Sequence, residues 1–503
     1  MCWLLRAAAA SSRKPSLLKA IVLLASWTVT DLGIAAESPR YWTTSAGRRS
    51  DVPLTFVRMD GDTVVLERED NGKTVRLSMG QLSGRDQRYV RDRRDSDPAE
   101  NASSGVSASS NSDWSQWRGV DRDGKSSATG LMKAWPPSGP AVVWNVTGLG
   151  EGYSTPSVVG DSIYVLGTQG DAEALFCLGL DDGQIRWQSP LGQKAGGGGY
   201  PGPRGTPTVD GDLIYAIGSD GTLGCFRRDG GQTVWQKNLK RDFGGKAGGW
   251  DYAESPLIDG ERLICTPGGQ SSTVVALQKE RGTPLWNGSA AELGEVYCRA
   301  AFASPVVAEI AGVRQYVCFL HGGVVGFDAA TGKGLWHYDA PANGTANCST
   351  PVIRDDFVFA ASAYGTGGGK ARVTRSGSNF GVEEVFFVKK FENHHGGFVL
   401  VDDHIYGTNN SVLMCIDWNN GDVVWQDRCV GKGSVSFADG HLMVRGERGE
   451  VALVEATPTS YVEKGRFMQS DRSDKNAWPH PVIAGGKLLL RDQDRMLAYD
   501  IGS

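Results

Sequence analysis

At 503 residues, with 68 glycines and an apolar fraction of 40%, the chain is too long for one ordinary domain and has the composition of a turn-rich, all-β protein with little helix. A formal net charge of -5 and the lack of any long basic stripe give no general attraction for phosphate backbones, which excludes nucleic acid as a partner.

The chain opens with Arg6, Arg13, Lys14 and Lys19 ahead of an apolar run from Ala20 to Val29. Gly33-Ile34-Ala35-Ala36 then supplies the small residues of a cleavage site. Residues 1–36 therefore read as a secretory signal, and the mature chain is expected outside the cytoplasm, in the periplasm or cell envelope. The apolar run is shorter than the ~18 residues needed to cross a bilayer, so no membrane span is expected after the signal is removed, and a retained anchor is the lesser alternative. Cys2 precedes the apolar run and so is not a lipoprotein cysteine.

Residues 38–94 form a compact segment. Alternating strands are expected around Leu54 to Met59, Val64 to Glu69 and Thr74 to Leu77, turned at Asp60-Gly61 and Asn71-Gly72. A helix from Met79 to about Arg91 follows, with Ser83 as its N-cap, Asp86 at N3, and Leu82, Tyr89 and Val90 facing the strands. The pattern Arg40-x-Trp42-Thr43, Gly47, Asp60-Gly61, Val64-x-Leu66, Gly72-Lys73, Leu82-Ser83, Asp86 and Tyr89 resembles the SLA1 homology 1 domain, a small SH3-like barrel. That resemblance implies peptide or protein binding. Residues 95–112 are nearly all Ser, Ala, Asn, Asp and Gly, cannot offset their ordering entropy, and read as a flexible linker.

From residue 113 a repeat takes over. Its clearest unit runs from Thr206-Pro207 through Asp210-Gly211-Asp212, Leu213-Ile214-Tyr215, Leu223, Cys225-Phe226 and Asp229-Gly230-Gly231 to Trp235, which is four short strands separated by tight turns. Copies run from Thr155-Pro156 to Trp187, Ser255-Pro256 to Trp286 and Ser304-Pro305 to Trp336. Weaker ones begin at Thr350-Pro351, Gly397-Phe398 (ending at Trp425), Ser434-Val435 (ending near Phe467) and His480-Pro481. The last unit stops at Tyr499-Asp500 without a closing tryptophan, whereas Val142-Val143-Trp144 is a closing strand with nothing before it. The two fragments complete one sheet and leave no open edge. Residues 113–503 thus predict an eight-bladed β-propeller of four antiparallel strands per blade, at about 49 residues per blade.

The unit small-x-Pro, Asp-Gly, apolar-Tyr, Leu-x-Cys/Ala-Leu, Asp-x-x-x-Gly-x-x-x-Trp resembles the quinoprotein-like eight-bladed propeller, and Thr331-Gly332-Lys333-Gly334-Leu335-Trp336 is its clearest copy. The resemblance implies one of several functions: quinone-dependent dehydrogenase, non-catalytic assembly lipoprotein of the outer membrane, or secreted protein of another role.

In such a blade, the connection from the closing strand to the next innermost strand shares a rim with the turn between strands two and three. The residue three before each position aligned with the proline, which is Phe398 and Val435 in the sixth and seventh units, is Tyr153, Arg204, Ala253, Phe302, Cys348, His395, Lys432 and Trp478. The same loops carry Tyr200, Trp250, Tyr252, Glu254, Arg299, Asn343, Asn347, His394 and His480, which suit clamping an anion or stacking on a ring. Capping of strand ends and filling of the channel is the competing account of these side chains. Glycine-rich loops from Gly196 to Gly205, Gly244 to Glu254 and Gly365 to Gly369 would let backbone amides approach a ligand. His394 and His395 are consecutive and on a strand would point to opposite faces, so no shared metal is expected.

Cys177, Cys225 and Cys415 occupy one inner-strand position in three blades and read as small buried hydrophobes, while Cys298, Cys348 and Cys429 lie on converging loops where an exported protein could oxidise them. The quinone-dependent alcohol dehydrogenases of this fold carry adjacent cysteines over the cofactor, an acidic base and a calcium site, and this chain has no adjacent cysteines. The leading reading is an exported, monomeric, non-catalytic binding or scaffold protein that engages protein partners through the SH3-like module and the propeller rim. The alternative is a pyrroloquinoline quinone and calcium-dependent oxidoreductase or a carbohydrate-binding protein, with Arg204 and Lys432 clamping an anionic cofactor and Glu254 or His395 as base.

Overall fold

The computed structural model describes residues 42, 44, 50, 52–60, 63–82, 90, 113–294 and 296–503, so the signal segment, the linker and most of the helix expected after Met79 lie outside the described residues. Among the described residues no helix is long and apolar enough to cross a membrane. The chain divides into two units, Met1–Ser107 and Ala108–Ser503.

In the first unit, Leu54–Asp60, Thr63–Arg68 and Thr74–Ser78 form an antiparallel sheet in that order. Alternation buries Val64 and Leu66 with Leu54, Trp42, Leu82 and Val90, and the Trp42 indole donates to the Leu54 carbonyl at 2.8 Å. Gly72, at φ 65°, makes the second turn. The turn after the third strand opens at Ser78, whose N–H donates to Gln81 Oε1 at 2.9 Å, so a capping interaction falls ahead of the Ser83 and Asp86 pair expected from sequence. Ser83, Asp86 and Tyr89 themselves lie outside the described residues.

In the second unit, eight antiparallel sheets follow one another. The first is Ser157–Val159, Ser162–Gln169, Ala172–Gly179 and Ile185–Gln193. The eighth is Val482–Ala484, Lys487–Asp492, Arg495–Asp500 and, as its outermost strand, Val142–Val146 from the other end of the unit. Trp144 there pairs with Ala498, and Val142 with Tyr499. Seven apolar clusters lie between sheets. One joins the first and second sheets (Tyr164 and Leu175 with Ile214 and Phe226), and the largest joins the seventh, eighth and first (Leu453, Leu489 and Phe176). The ring is therefore shut, and each sheet buries both of its faces.

A small residue on strand three makes room for each tryptophan: Cys177, Cys225, Ala276, Gly326, Cys415 and Ala498 pair with Trp187, Trp235, Trp286, Trp336, Trp425 and Trp144. Four of the indoles then lie on the glycine that ends the next blade's turn: Trp144 on Gly183, Trp187 on Gly231, Trp235 on Gly282 and Trp286 on Gly332. The fifth blade uses Phe386 in this way, lying on Gly421. In the seventh, the closing position holds Gly465 rather than Phe467, and Trp135, from the segment before the first blade, fills the gap against Phe467 at 5.3 Å.

Gly282 sits at φ +67°, and a Cβ there would lie 2.7 Å from the Trp235 ring. Gly282→Ala is expected to cost about 2–4 kcal/mol, combining left-handed strain with overpacking. Gly211→Ala has the same kind of backbone, φ +56°, with open space around it, and should lose only about 1–2 kcal/mol. Equal midpoints in urea unfolding of the two variants would show that the indole is not packed on the turn.

Candidate functional site

The segment from Asp113 to Ser126 crosses the inner strands of the ring, which sequence reading did not foresee. Trp114 pairs with Val158 of the first blade, and the Ser115 carbonyl accepts from Val209 N–H of the second. Arg122 donates to Ser255 O (2.9 Å) and Pro256 O (3.0 Å) of the third, and Trp117 Nε1 to Thr350 Oγ1 (2.8 Å) of the fifth. Arg118 donates to Phe398 O of the sixth and to Asp123 O (3.0 Å). Lys125–Ser126 adds a parallel fifth strand to the seventh blade beside Phe437 and Ala438, and Ser126 Oγ donates to Ile483 O of the eighth. Inner strands have carbonyls on their channel edge with no neighbouring strand, and these two arginines supply the missing donors. Arg118 and Arg122 are 2% and 4% exposed; burial pulls their guanidinium pKa values down to about 10 and about 9, which leaves both charged at neutral pH.

Above this plug lies a cavity of about 250 Å³. All eight residues three before the proline-aligned positions line it: Tyr153, Arg204, Ala253, Phe302, Cys348, His395, Lys432 and Trp478. Tyr200, Trp250, His394 and His480 also line it, joined by Trp117 from the plug and Tyr364 from a turn between strands two and three. The walls are mostly rings. Trp478 lies 4.7 Å from both Tyr153 and Tyr200, Trp250 meets Phe302 at 5.6 Å, Tyr364 meets His394 at 4.6 Å, and Trp117 meets His480 at 4.6 Å on the floor.

The polar groups are tied to the protein itself. Glu447 accepts from Trp478 Nε1 at 2.6 Å, His395 Nε2 at 3.0 Å and Lys432 Nζ at 3.1 Å. Burial works to raise its pKa, but the His395 and Trp478 hydrogen bonds and the Lys432 charge outweigh it and hold the carboxylate at about 2. Arg204 is not free to clamp an anion: it donates to Trp250 O (3.0 Å), Gly197 O (3.3 Å) and Tyr200 O, and so braces the glycine-rich loop. Gly197 and Gly198 pack on Arg204 and Trp250, and Gly248 on Phe302, so these glycines serve close packing of the loops. Burial pushes His394 down to about 4, His395 down and His480 far down, so all three are neutral at pH 7. Burial also pushes the Cys348 thiol up to about 12.

Other predicted residues fall elsewhere. Tyr252 is buried between the second and third blades and donates to Pro267 O at 2.8 Å. Asn347 is buried and donates to Leu320 O at 2.9 Å. Glu254 is 2% exposed and accepts from Thr266 N–H at 2.7 Å and from the Thr266 hydroxyl, so it does not line the cavity as a base. Arg299 and Asn343 line a separate hollow. Cys298, Cys348 and Cys429 are free thiols, as are Cys177, Cys225 and Cys415, which are buried.

Burial drives the Glu254 pKa up to about 7, above its unfolded value, against the Thr266 hydrogen bonds. The native state therefore keeps a proton that the unfolded chain has lost, and stability is expected to fall as pH rises from about 4.5 to about 7. Glu254→Gln should flatten that slope in urea melts across the window; an unchanged slope would assign it to other groups.

The calcium-held quinone suggested by the fold does not fit this donor set. Calcium takes six to eight oxygen ligands, no carboxylate lines the cavity, and among the described residues no group of three or more His, Cys, Asp or Glu is placed to hold a metal.

A closed ring of four-stranded sheets whose tryptophans dock on the next blade's turn defines a β-propeller of PQQ-like repeats. The family model described as outer membrane protein assembly factor BamB matches residues 125–248 and 171–427, and the chain belongs to that family. BamB from Moraxella catarrhalis is similar over 72% of this chain and 97% of its own, at 14% identity and TM-score 0.52. The quinohemoprotein alcohol dehydrogenase from Comamonas testosteroni is similar over 78% of this chain and 81% of its own, at 11% identity and TM-score 0.55. At these identities the likeness is one of fold. No curated protein matches the chain.

Proposed function

We propose that this chain is an exported, non-catalytic binding protein of the cell envelope, in which the rim cavity receives an apolar or aromatic side chain of a protein partner. The observation that carries the reading is the engagement of every charged side chain of the cavity within the protein: Arg204 on loop carbonyls, and Lys432 with His395 on Glu447. With the Cys348 thiol held protonated, no activated nucleophile remains, whereas tryptophan and tyrosine walls suit a buried anchor residue. The buried Trp42, Leu66 and Leu82 on a three-stranded antiparallel sheet are the support for an SH3-like fold of the first unit, which would add a peptide-binding module. The charge residues and small-residue site of segment 1–36 support export.

Photocrosslinking tests the cavity. A benzophenone side chain replacing Tyr200, which is exposed on the cavity wall, is expected to capture a discrete envelope protein in cells, and the additional change Trp478→Ala to abolish that capture. Capture unaffected by Trp478→Ala, or no captured polypeptide, would retire the reading.

A further inference from the structure

A second hollow, of about 420 Å³, lies on the same rim at the fourth blade, between Tyr297, Arg299, His321, Asp339 and Asn343. Its frame is fixed by backbone. His321 N–H donates to Arg299 O and Gly322 N–H to Tyr297 O, each at 3.1 Å, and Asn347 Nδ2 donates to His321 O at 3.2 Å.

Asn343 is tied into its own loop, donating to Ala346 O at 2.8 Å, but the two charged side chains of the hollow are unengaged. Among the described residues the Arg299 guanidinium has no hydrogen bond or ion pair; its Nε is buried without an acceptor, and the guanidinium lies over the Tyr297 ring at 5.4 Å. The Asp339 carboxylate, on the same hollow, is likewise without a partner and is not paired with Arg299. The Tyr297 ring is 52% exposed and stands edge-on to His321 at 5.5 Å. Burial, helped by the Arg299 charge, pushes the His321 pKa down, so the hollow holds one cation, one anion and two rings set edge to face.

We propose that this hollow is a binding site for a free α-amino acid with an aromatic side chain. Its carboxylate takes the guanidinium of Arg299 in charge-assisted hydrogen bonds, its ammonium faces Asp339, and its ring lies against Tyr297 and His321. A simple anion would meet Arg299 but be repelled by Asp339, and an internal peptide residue lacks both charges. The site is independent of the central cavity and of any protein partner.

Calorimetric titration of the full mature chain with phenylalanine, phenylalaninamide and N-acetylphenylalanine tests it. Phenylalanine alone is expected to bind. Arg299→Lys, which keeps the charge but loses the planar fork, and Asp339→Asn should each weaken binding at least about tenfold. Both substitutions are on the rim, and unchanged thermal unfolding confirms that the variants are folded. No heat with phenylalanine, equal binding of N-acetylphenylalanine, or full binding by the Asp339→Asn variant would overturn the proposal.

Discussion

Glu447→Ala is expected to destabilise the propeller by about 3–5 kcal/mol, the usual loss when a largely buried charge partner is removed and its donors are left unpaired. Three donors converge on this carboxylate, from Trp478, His395 and Lys432, and they belong to loops of the sixth, seventh and eighth blades. Glu447→Gln keeps an acceptor and should lose less, about 1–2 kcal/mol. Because the folded pKa is held at about 2, below the unfolded value, the stability that Glu447 contributes is present above pH 4.5 and is lost as pH falls toward 2. Allowing for the solvent that reaches the group, that loss is about 2 kcal/mol. Urea unfolding of wild type and Glu447→Gln at pH 3 and pH 6 reads it directly: the gap between the two should close at the lower pH, and a constant gap would mean that the carboxylate is not ionised in the fold.

Replacing Arg118 and Arg122 together with methionine should have the largest effect on the ring, about 4–8 kcal/mol. The buried guanidiniums serve inner-strand carbonyls, Arg118 that of Phe398 and Arg122 those of Ser255 and Pro256, and an unmet buried group costs about 1–3 kcal/mol beyond the bond itself. Gly124 and Gly397 confirm how closely the Arg118 guanidinium is held, since a Cβ at either, at φ +83° and +61°, would run into it. The variant should therefore be cut by protease within residues 113–126 at a concentration that leaves wild type intact. Resistance equal to wild type would show that the segment does not depend on these arginines.

Much of the fold was legible because the repeat is written in residues with a strict geometric task. Glycines such as Gly183 and Gly282 sit at φ +67° beneath an indole, and a proline starts each clear inner strand, so both recur in register and reveal the blades. The proline register also located one loop of each blade, which is why its eight residues meet in one cavity. It could not locate Glu447 or Tyr364, because they belong to the turns between strands two and three, whose lengths vary and carry no anchor residue. Trp117, Arg118 and Arg122 lie before the first repeat, and nothing in a local pattern tells a channel plug from a linker end. The loop-bracing bonds of Arg204 and the buried bonds of Glu254 were hidden for the same physical reason: a charged residue in a rim loop looks alike in sequence whether it faces a ligand or braces backbone, and only its partners decide.

Every feature of the cavity depends on the ring being shut by a strand from before the first blade. Val146 and Met496 face each other across that seam. Paired as cysteines in the otherwise native chain, they are expected to form a disulfide that links the two ends of the propeller, giving a faster-running species on a non-reducing gel and a higher unfolding midpoint. Failure to form the link in folded protein, with Val146→Cys instead open to thiol reagents, would contradict the closed ring and the cavity built on it.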